Sequence, residues 1–304
     1  MMVYCRKVVI NKPECLSLKG PVLFAANHPN SFLDGIIMTT LMEEQLYSLA
    51  RGDAFARKTV GNILRRMFLL PVYRTNEGKE NLSQNYTTFE ACQQVFATNG
   101  IVLIFSEGGS ANEWHLRPLR KGTARLTTST WEKGINLIII PLGINYNAFR
   151  LFGKNVHINF GEPLNKQLII EQETYGKQLL AFNEQLESQL RQLVYEVEPG
   201  NKAKLKSLFY VPLPMFKKII LAIPAFIGAI LHLPLYISVK AVASLFSNDH
   251  YDSLVVALLM VEYPFYWLLI ALLCTNFLGW IFALIIALSM PFCAWAYVQL
   301  KRQI

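Results

Sequence analysis

The chemically richest stretch of the sequence is NHPNSFLD at residues 27–34, directly after the apolar run PVLFAA. It contains His28 at the end of a predicted strand and Asp34 at the start of a predicted helix. An aspartate that hydrogen-bonds one imidazole nitrogen fixes the tautomer, which leaves the other nitrogen free to take a proton from a hydroxyl group. The residues alone leave two interpretations open: an acid–base pair, or a turn histidine beside an acid that only stabilises a helix N-terminus.

Cationic and glycine-rich positions follow two further predicted strands. Glycines let backbone N–H groups approach an anion closely, and a guanidinium group fits the geometry of a phosphate. The pattern favours a phosphate-bearing ligand, although a solvated basic turn would have the same composition. The positions concerned are Arg74 after FLLPVY, Glu107, Gly108 and Gly109 after IVLIF, and Arg117, Arg120 and Lys121 before Gly122.

The elements that must position these residues alternate between strands and helices over residues 1–198, which we take as the catalytic domain. This alternation is typical of α/β proteins and predicts a mixed, mostly parallel sheet flanked by helices. Pro141 is expected to break a strand at the edge of the sheet. The predicted strands are 21–26, 46–50, 68–74, 101–105, 136–146 and 156–163, and the predicted helices are 33–46, 55–67, 80–97, 120–133 and 171–197.

The composition changes near residue 211. Of the 29 Lys and Arg residues 24 precede it, as do 18 of the 21 Asp and Glu residues, so the front part carries a net charge of +6 and the remainder +2. A basic front domain followed by an apolar tail favours anionic lipid headgroups or phosphorylated substrates over nucleic acid, and we expect no nucleic-acid partner.

The tail is expected to be α-helical and membrane-associated. Residues 199–211 form a basic linker. Residues 254–298 are predicted to form a transmembrane hairpin, in which 254–273 and 277–298 are each long enough to span about 30 Å and 274–276 form the turn. Two spans return Lys301 and Arg302 to the side of the basic domain, as the positive-inside tendency prefers. Residues 212–245, whose apolar stretch 219–239 is broken by Pro224, Pro234 and His232, are therefore predicted to be interfacial or re-entrant.

The catalytic domain is expected on the cytoplasmic face of the membrane. The first residues contain no apolar run typical of a signal peptide. The five cysteines show no paired short spacing, which indicates neither a disulfide framework nor a zinc site, and we expect no metal.

The four motifs, in this order and at the ends of successive strands, resemble the glycerophospholipid acyltransferase family. The resemblance covers about residues 20–165 and rests on NHPNSFLD, Arg74, FSEGG and IIIPLGINY. It implies that His28 is the base and Asp34 its orienting carboxylate. It also implies that Arg74, Glu107 and Gly108 hold the phosphate of the acceptor. Gly109, Arg117, Arg120, Lys121, Asn27 and Asn30 complete the expected substrate-binding set.

Three departures from the family pattern bear on the acceptor. One more residue than usual separates His28 from Asp34, Ser106 stands where a proline is expected, and Ser110 replaces an arginine. Arg117, Arg120 or Lys121 is expected to supply the missing charge. The longer spacing and the Glu-Gly-Gly-Ser run resemble the branch with glycerol-3-phosphate/dihydroxyacetone-phosphate acyltransferases.

The resemblance implies an O-acyltransferase of phospholipid biosynthesis that acylates glycerol 3-phosphate or dihydroxyacetone phosphate. No cofactor is expected, since acyl-CoA or an acyl carrier protein serves as co-substrate, and the lipid bilayer is a further partner. Two alternatives stay open. One is acylation of lysophosphatidate or another lysolipid, and the other is a non-catalytic, membrane-tethered lipid-binding or scaffold protein. The sequence lacks a Gly-x-Ser-x-Gly elbow, which disfavours a serine hydrolase.

Overall fold

The computed structural model describes residues 4–73, 82–245 and 251–303. The strands are β1 (Cys5–Ile10), β2 (Val22–Ala26), β3 (Leu46–Arg51), β4 (Leu69–Val72), β5 (Ile101–Phe105), β6 (Ile138–Tyr146) and β7 (Lys154–Phe160). The helices of the front part are α1 (Phe32–Leu41), α2 (Lys58–Arg66), α3 (Leu82–Ala97), α4 (Lys121–Glu132), α5 (Lys166–Ile170) and α6 (Tyr175–Leu193). They are followed by α7 (Lys202–Phe209), α8 (Met215–Ser244), α9 (Tyr251–Leu278) and α10 (Trp280–Leu300).

These strands form one sheet in the order β1-β7-β6-β2-β5-β3-β4. Every neighbouring pair is parallel except β6 and β7, which are antiparallel. The predicted mixed, mostly parallel α/β sheet is therefore confirmed. The sequence analysis missed β1, because Arg6 and Lys7 interrupt its short apolar pattern.

The prediction that Pro141 breaks a strand at the sheet edge is wrong. Strand β6 continues five residues beyond Pro141, to Tyr146, and lies in the middle of the sheet. Pro141 is in register with Ala25 of β2, whereas the ladder with β7 begins only at Leu142. The carbonyl of Pro141 accepts the N–H of Gly161 at 2.9 Å, so Pro141 lies at the end of the ladder with β7, where a residue without an N–H is tolerated.

Strand β2 lies at the centre of the packing because both of its faces are buried. Val22, Phe24 and Ala26 point into one core and Leu23 and Ala25 into the other. Side chains alternate between the faces of a strand, and a strand covered on both sides is apolar at every position. The polar residues that follow Ala26 therefore begin where the covered part of the strand ends.

Different helices cover the two faces of the sheet. The face of Leu23 packs against α3, α4 and α6. The face of Phe24 packs against α1 and against parts of the tail helices α8 and α9. The tail residues in this second core are Leu235, Val239 and Ala243 of α8 and Val255 and Val256 of α9. The catalytic domain and the tail thus share one hydrophobic core.

The described tail contains three helices, α8, α9 and α10, that are long and apolar enough to cross a membrane. Helix α8 is continuous through Pro224 and Pro234, and the basic linker includes α7. These lengths indicate membrane association. They do not distinguish a spanning α8 from the interfacial or re-entrant segment predicted for 212–245, which stays a prediction.

The turn of the predicted hairpin lies at Gly279, with φ of +85°, rather than at residues 274–276. Helix α9 passes through Thr275, whose hydroxyl donates to the carbonyl of Ala271 at 2.9 Å. A hydroxyl satisfied one turn back along the helix does not force the helix to end. Glycine, in contrast, adopts a positive φ without steric cost.

Candidate active site

The candidate site lies where β2, β5 and β6 end. These three strands are adjacent and parallel, so their carboxyl ends share one edge of the sheet. His28 follows β2 and Glu107 follows β5, while Tyr146 is the last residue of β6. In open α/β sheets this edge is where ligands usually bind.

His28 and Asp34 form the predicted hydrogen bond. Nδ1 of His28 lies 2.9 Å from Oδ2 of Asp34, which is fully buried in the first turn of α1. The same oxygen accepts the backbone N–H of Asn30 at 2.8 Å, and Oδ1 accepts the hydroxyl of Tyr146 at 2.6 Å. Three groups thus fix the carboxylate, which in turn fixes the imidazole.

The imidazole of His28 is also held from one side by an aromatic ring. It stacks on Phe105 with the ring centroids 3.7 Å apart and the planes 10° from parallel. The side chain keeps 16% of its surface exposed. Among the described residues none hydrogen-bonds Nε2, so this nitrogen can meet a ligand.

Glu107 ties two backbone segments of the site together. Its Oε2 accepts the N–H of His28 and its Oε1 the N–H of Arg117, each at 3.0 Å. The residue is 4% exposed. Burial raises the pKa of the Glu107 carboxyl, and the two backbone N–H donors partly offset this because they stabilise the carboxylate. Glu107 thus links the backbone of the histidine motif to that of Arg117, and its contact with the acceptor phosphate stays a prediction.

Residues 106–120 wrap over the histidine motif. The N–H of Ala111 donates to the carbonyl of His28 at 3.2 Å, and the amide of Asn112 donates to the carbonyl of Pro29 at 2.9 Å. Arg117 donates from its guanidinium to the carbonyl of Gly109 at 3.0 Å. The loop that carries the predicted anion-binding residues therefore lies directly against His28.

Gly108 has a conformation that suits this loop, with φ of +70°. A Cβ at this position would lie 2.9 Å from Cγ of Arg120, so the arginine stem crosses directly over the glycine. The side chains of Arg120 and Lys121 are exposed. Ser106, in place of the proline of the family pattern, accepts a hydrogen bond from the hydroxyl of Thr123 at 3.0 Å.

The side chains of the two motif asparagines are engaged by protein partners. The side-chain N–H of Asn27 donates to the carbonyl of Ile144 at 3.1 Å, and Oδ1 of Asn27 accepts the backbone N–H of Ile144 at 2.8 Å. The amide of Asn30 donates to Oδ2 of Asp252 at 2.7 Å. Both residues are almost fully buried. Asn27 therefore holds the backbone of β6 and Asn30 bonds a side chain of α9, and the contact of either with substrate stays a prediction.

Arg74 lies outside the described residues. The strand that precedes it, β4, is an edge strand three positions from β2, or about 14 Å at ordinary strand spacing. The other predicted residues lie at the shared edge of β2 and β5.

Sequence reasoning missed Tyr146, Phe105, Asn112 and Asp252. Tyr146 and Phe105 both stand at the ends of predicted apolar strands, and that position was the available signal. Nothing in the sequence around Asn112, apart from its place in the loop, predicts its contact with the histidine motif. Asp252 lies 222 positions from its partner Asn30, and only the folded chain brings the two together.

The described residues contain no group of three or more His, Cys, Asp or Glu side chains that could hold a metal ion. Residues 7–145 match the family model described as Acyltransferase. The match spans 139 of the 304 residues, and over this range the chain is similar to the acyltransferase family. The matched range contains His28, Asp34 and Glu107, and it ends one residue before Tyr146.

The chain is also similar to a curated protein and to a solved structure. Glycerol-3-phosphate O-acyltransferase 1 of Saccharomyces cerevisiae is 34% identical over 77 residues, which are 24% of this chain and 10% of the yeast protein. The match thus spans a tenth of the yeast protein. The crystal structure of the 1-acyl-sn-glycerophosphate (LPA) acyltransferase PlsC from Thermotoga maritima is 11% identical, with a TM-score of 0.40, over 66% of this chain and 72% of that one.

Proposed function

We propose that this protein transfers a fatty acyl chain from an acyl thioester to a hydroxyl group of glycerol 3-phosphate or dihydroxyacetone phosphate. The observation that carries the proposal is the His28–Asp34 hydrogen bond of 2.9 Å within the residues that match the acyltransferase family. The short similarity to the yeast glycerol-3-phosphate enzyme supports this choice of acceptor. The proposed role is phospholipid biosynthesis.

In the proposed reaction Nε2 of His28 removes the proton of the acceptor hydroxyl as its oxygen attacks the thioester carbonyl. A C–O bond forms, and the carbonyl electron pair moves to the oxygen of a tetrahedral intermediate. When the intermediate collapses, the C–S bond breaks and the imidazolium returns its proton to the departing thiolate. Asp34 stabilises the imidazolium and keeps its ring oriented. The products are an ester and a free thiol, and no cofactor takes part.

Arg117, Arg120 and Lys121 are the proposed partners of the acceptor phosphate. The loop that carries them lies against the histidine motif through two hydrogen bonds, from Ala111 and Asn112. A phosphate held there would place the neighbouring hydroxyl near His28. The N–H of Gly108 donates to the carbonyl of Phe105 at 3.1 Å, so the proposed oxyanion donor of the Gly108–Gly109 turn is the N–H of Gly109.

The membrane tail suits a product with a long acyl chain. The three apolar helices keep the domain at the bilayer, where such a product partitions. We place the catalytic domain on the cytoplasmic face, where acyl-CoA and acyl carrier protein, the proposed donors, are available. With α9 and α10 as the two spans, Lys301 and Arg302 at the end of the tail lie on the same side as the domain, which agrees with this orientation.

The test is acyl transfer by the full-length chain in lipid nanodiscs, with glycerol 3-phosphate, dihydroxyacetone phosphate and lysophosphatidate offered in parallel. We expect ester formation with one of the first two acceptors. We also expect His28→Gln to lower kcat by about a hundredfold to ten-thousandfold, the usual contribution of a general base.

His115→Gln is the matched control. His115 lies in the loop of residues 106–120 that covers the histidine motif, but its side chain is exposed and faces Glu113. It should keep wild-type activity. If the wild-type chain acylates lysophosphatidate in preference to the other two acceptors, the proposed acceptor is wrong. An active His28→Gln variant would contradict the catalytic role.

A further inference from the structure

A carboxylate of the tail is buried directly beneath the histidine motif. Asp252, in the first turn of α9, is 2% exposed. Its Oδ1 accepts the hydroxyl of Tyr4 at 2.9 Å, and its Oδ2 accepts the amide of Asn30 at 2.7 Å. The ammonium group of Lys154, which is fully buried in β7, also bonds Oδ2. The membrane helix thus contacts the motif through a charged group.

Asn30 connects this carboxylate to the candidate catalytic pair. Its side chain donates to Asp252, while its backbone N–H donates to Oδ2 of Asp34 at 2.8 Å. That oxygen is the one that lies 2.9 Å from Nδ1 of His28. Three consecutive hydrogen bonds therefore join Asp252 at the start of α9 to the imidazole, and the residues between the two, Asn30 and Asp34, are buried.

The ammonium group of Lys154 also donates to the carbonyl of Phe149 at 3.2 Å and lies 5.6 and 5.5 Å from the ring centroids of Tyr4 and Tyr146, but it makes no hydrogen bond to His28 or Asp34. Its charge balances that of Asp252. Replacing a buried ion pair by apolar side chains of similar volume is often neutral for stability or favourable. Packing alone would therefore not require an aspartate here. An apolar pair could not supply the acceptor that fixes the amide of Asn30.

We propose that Asp252 is a positioning residue: it fixes the side chain of Asn30, and thereby the backbone N–H that orients Asp34 and the ring of His28. Lys154 serves to neutralise the buried carboxylate. The consequence for reaction rate rests on the proposed acyl-transfer function. The expected change in the orientation of the His28 ring does not depend on that function.

Two double variants of the full chain separate positioning from charge. Lys154→Met with Asp252→Leu removes both charges and the acceptor for Asn30. Lys154→Met with Asp252→Asn also removes both charges but keeps an amide oxygen that can accept from Asn30. The remaining amide N–H₂ can donate to the hydroxyl of Tyr4. The two variants differ mainly in the hydrogen bond under test.

The readouts are kcat and KM with the acceptor that wild type uses, and the rate at which diethyl pyrocarbonate modifies His28, followed by mass spectrometry. We expect the leucine variant to lose about tenfold to a hundredfold in kcat with KM nearly unchanged, because the base is misoriented while the binding loop is intact. Its His28 should react at a rate severalfold different from wild type. The asparagine variant should match wild type in both readouts.

Asn30→Ala, made in the otherwise unchanged chain, is the independent variant if the leucine variant does not fold. It leaves Asp252 paired with Lys154 and Tyr4, and it should show the same loss of kcat. Wild-type kcat and wild-type labelling of His28 in the leucine variant or in Asn30→Ala would overturn the positioning role. A wild-type chain without acyl transfer, but with altered His28 labelling in the leucine variant, would refute the proposed function and support the positioning role.

Discussion

At the scale of single residues, the site consists of one carboxylate that receives hydrogen bonds from three parts of the chain. Asp34 bonds His28, the backbone of Asn30 and the hydroxyl of Tyr146, which come from the β2 end, the turn before α1 and the end of β6. A buried carboxylate needs these partners to offset its lost hydration. The same partners hold the carboxylate of Asp34 in one orientation, and its hydrogen bond to Nδ1 then orients the imidazole of His28.

Tyr146→Phe tests this arrangement at the oxygen that His28 does not use. The variant removes the hydroxyl that lies 2.6 Å from Oδ1 of Asp34. We expect the free energy of unfolding to fall by about 1.5–3 kcal/mol, the usual contribution of a hydrogen bond to a charged group. We also expect a lower kcat, because Asp34 becomes free to turn. Denaturant unfolding and initial rates measure the two effects.

Tyr175→Phe is the control for that variant, since Tyr175 is 48% exposed at the start of α6. It should leave both quantities unchanged. An unfolding free energy for Tyr146→Phe equal to that of the control would show that the hydroxyl does not hold Asp34.

At the scale of elements, the close approach of two tail helices depends on one glycine. Helices α8 and α10 meet at Gly228, where a Cβ would lie 2.2 Å from the carbonyl oxygen of Cys293. Small residues allow this kind of contact between apolar helices in a membrane, where packing rather than hydrophobic burial holds the helices together.

Gly228→Ala should force these helices apart. The methyl group meets backbone, which cannot rotate away, so we expect a loss of about 1–3 kcal/mol in stability, as for overpacked cores. Thermal unfolding of the purified chain in detergent measures it. Gly176→Ala is the matched control in α6, since nothing lies within 4 Å of its added Cβ. A melting temperature for Gly228→Ala at or above that of the control would contradict the predicted close packing.

At the scale of the whole molecule, residues 1–198 and the tail are joined by a shared hydrophobic core, so the tail does more than attach the front part to a membrane. The core on the Phe24 face of the sheet includes Leu235, Val239 and Ala243 of α8. The far end of the tail is also attached, since the side chain of Gln303 bonds both the N–H of Val211, at 2.9 Å, and the amide of Asn155, at 2.8 Å.

Truncation of the chain after residue 210 should therefore not yield a soluble catalytic domain. The cut exposes the apolar face of α1 and leaves Lys154 buried without Asp252, which costs several kcal/mol for an unpaired charge. We expect aggregation of residues 1–210, measured by size-exclusion chromatography and circular dichroism beside the full chain in detergent. A monodisperse, folded fragment would contradict the shared core.

Local patterns in the sequence were enough to predict the mostly parallel sheet, the pairing of His28 with Asp34 and the change to an apolar tail. These features depend on local pattern: alternation of apolar strands with helices, polar groups where burial ends, and helix length against bilayer thickness. The spacing of His28 and Asp34 is local too, since a strand end and the next helix bring the two side chains together.

Three features could be seen only in the folded chain. Tyr146 bonds the carboxylate of Asp34, β6 continues through Pro141, and Asp252 lies beneath Asn30. Each depends on contacts between residues far apart in the chain, 112 positions for Tyr146 and Asp34 and 222 for Asp252 and Asn30. No local periodicity records such a contact, because it arises from the order in which the strands assemble and from the way the tail folds back onto the sheet.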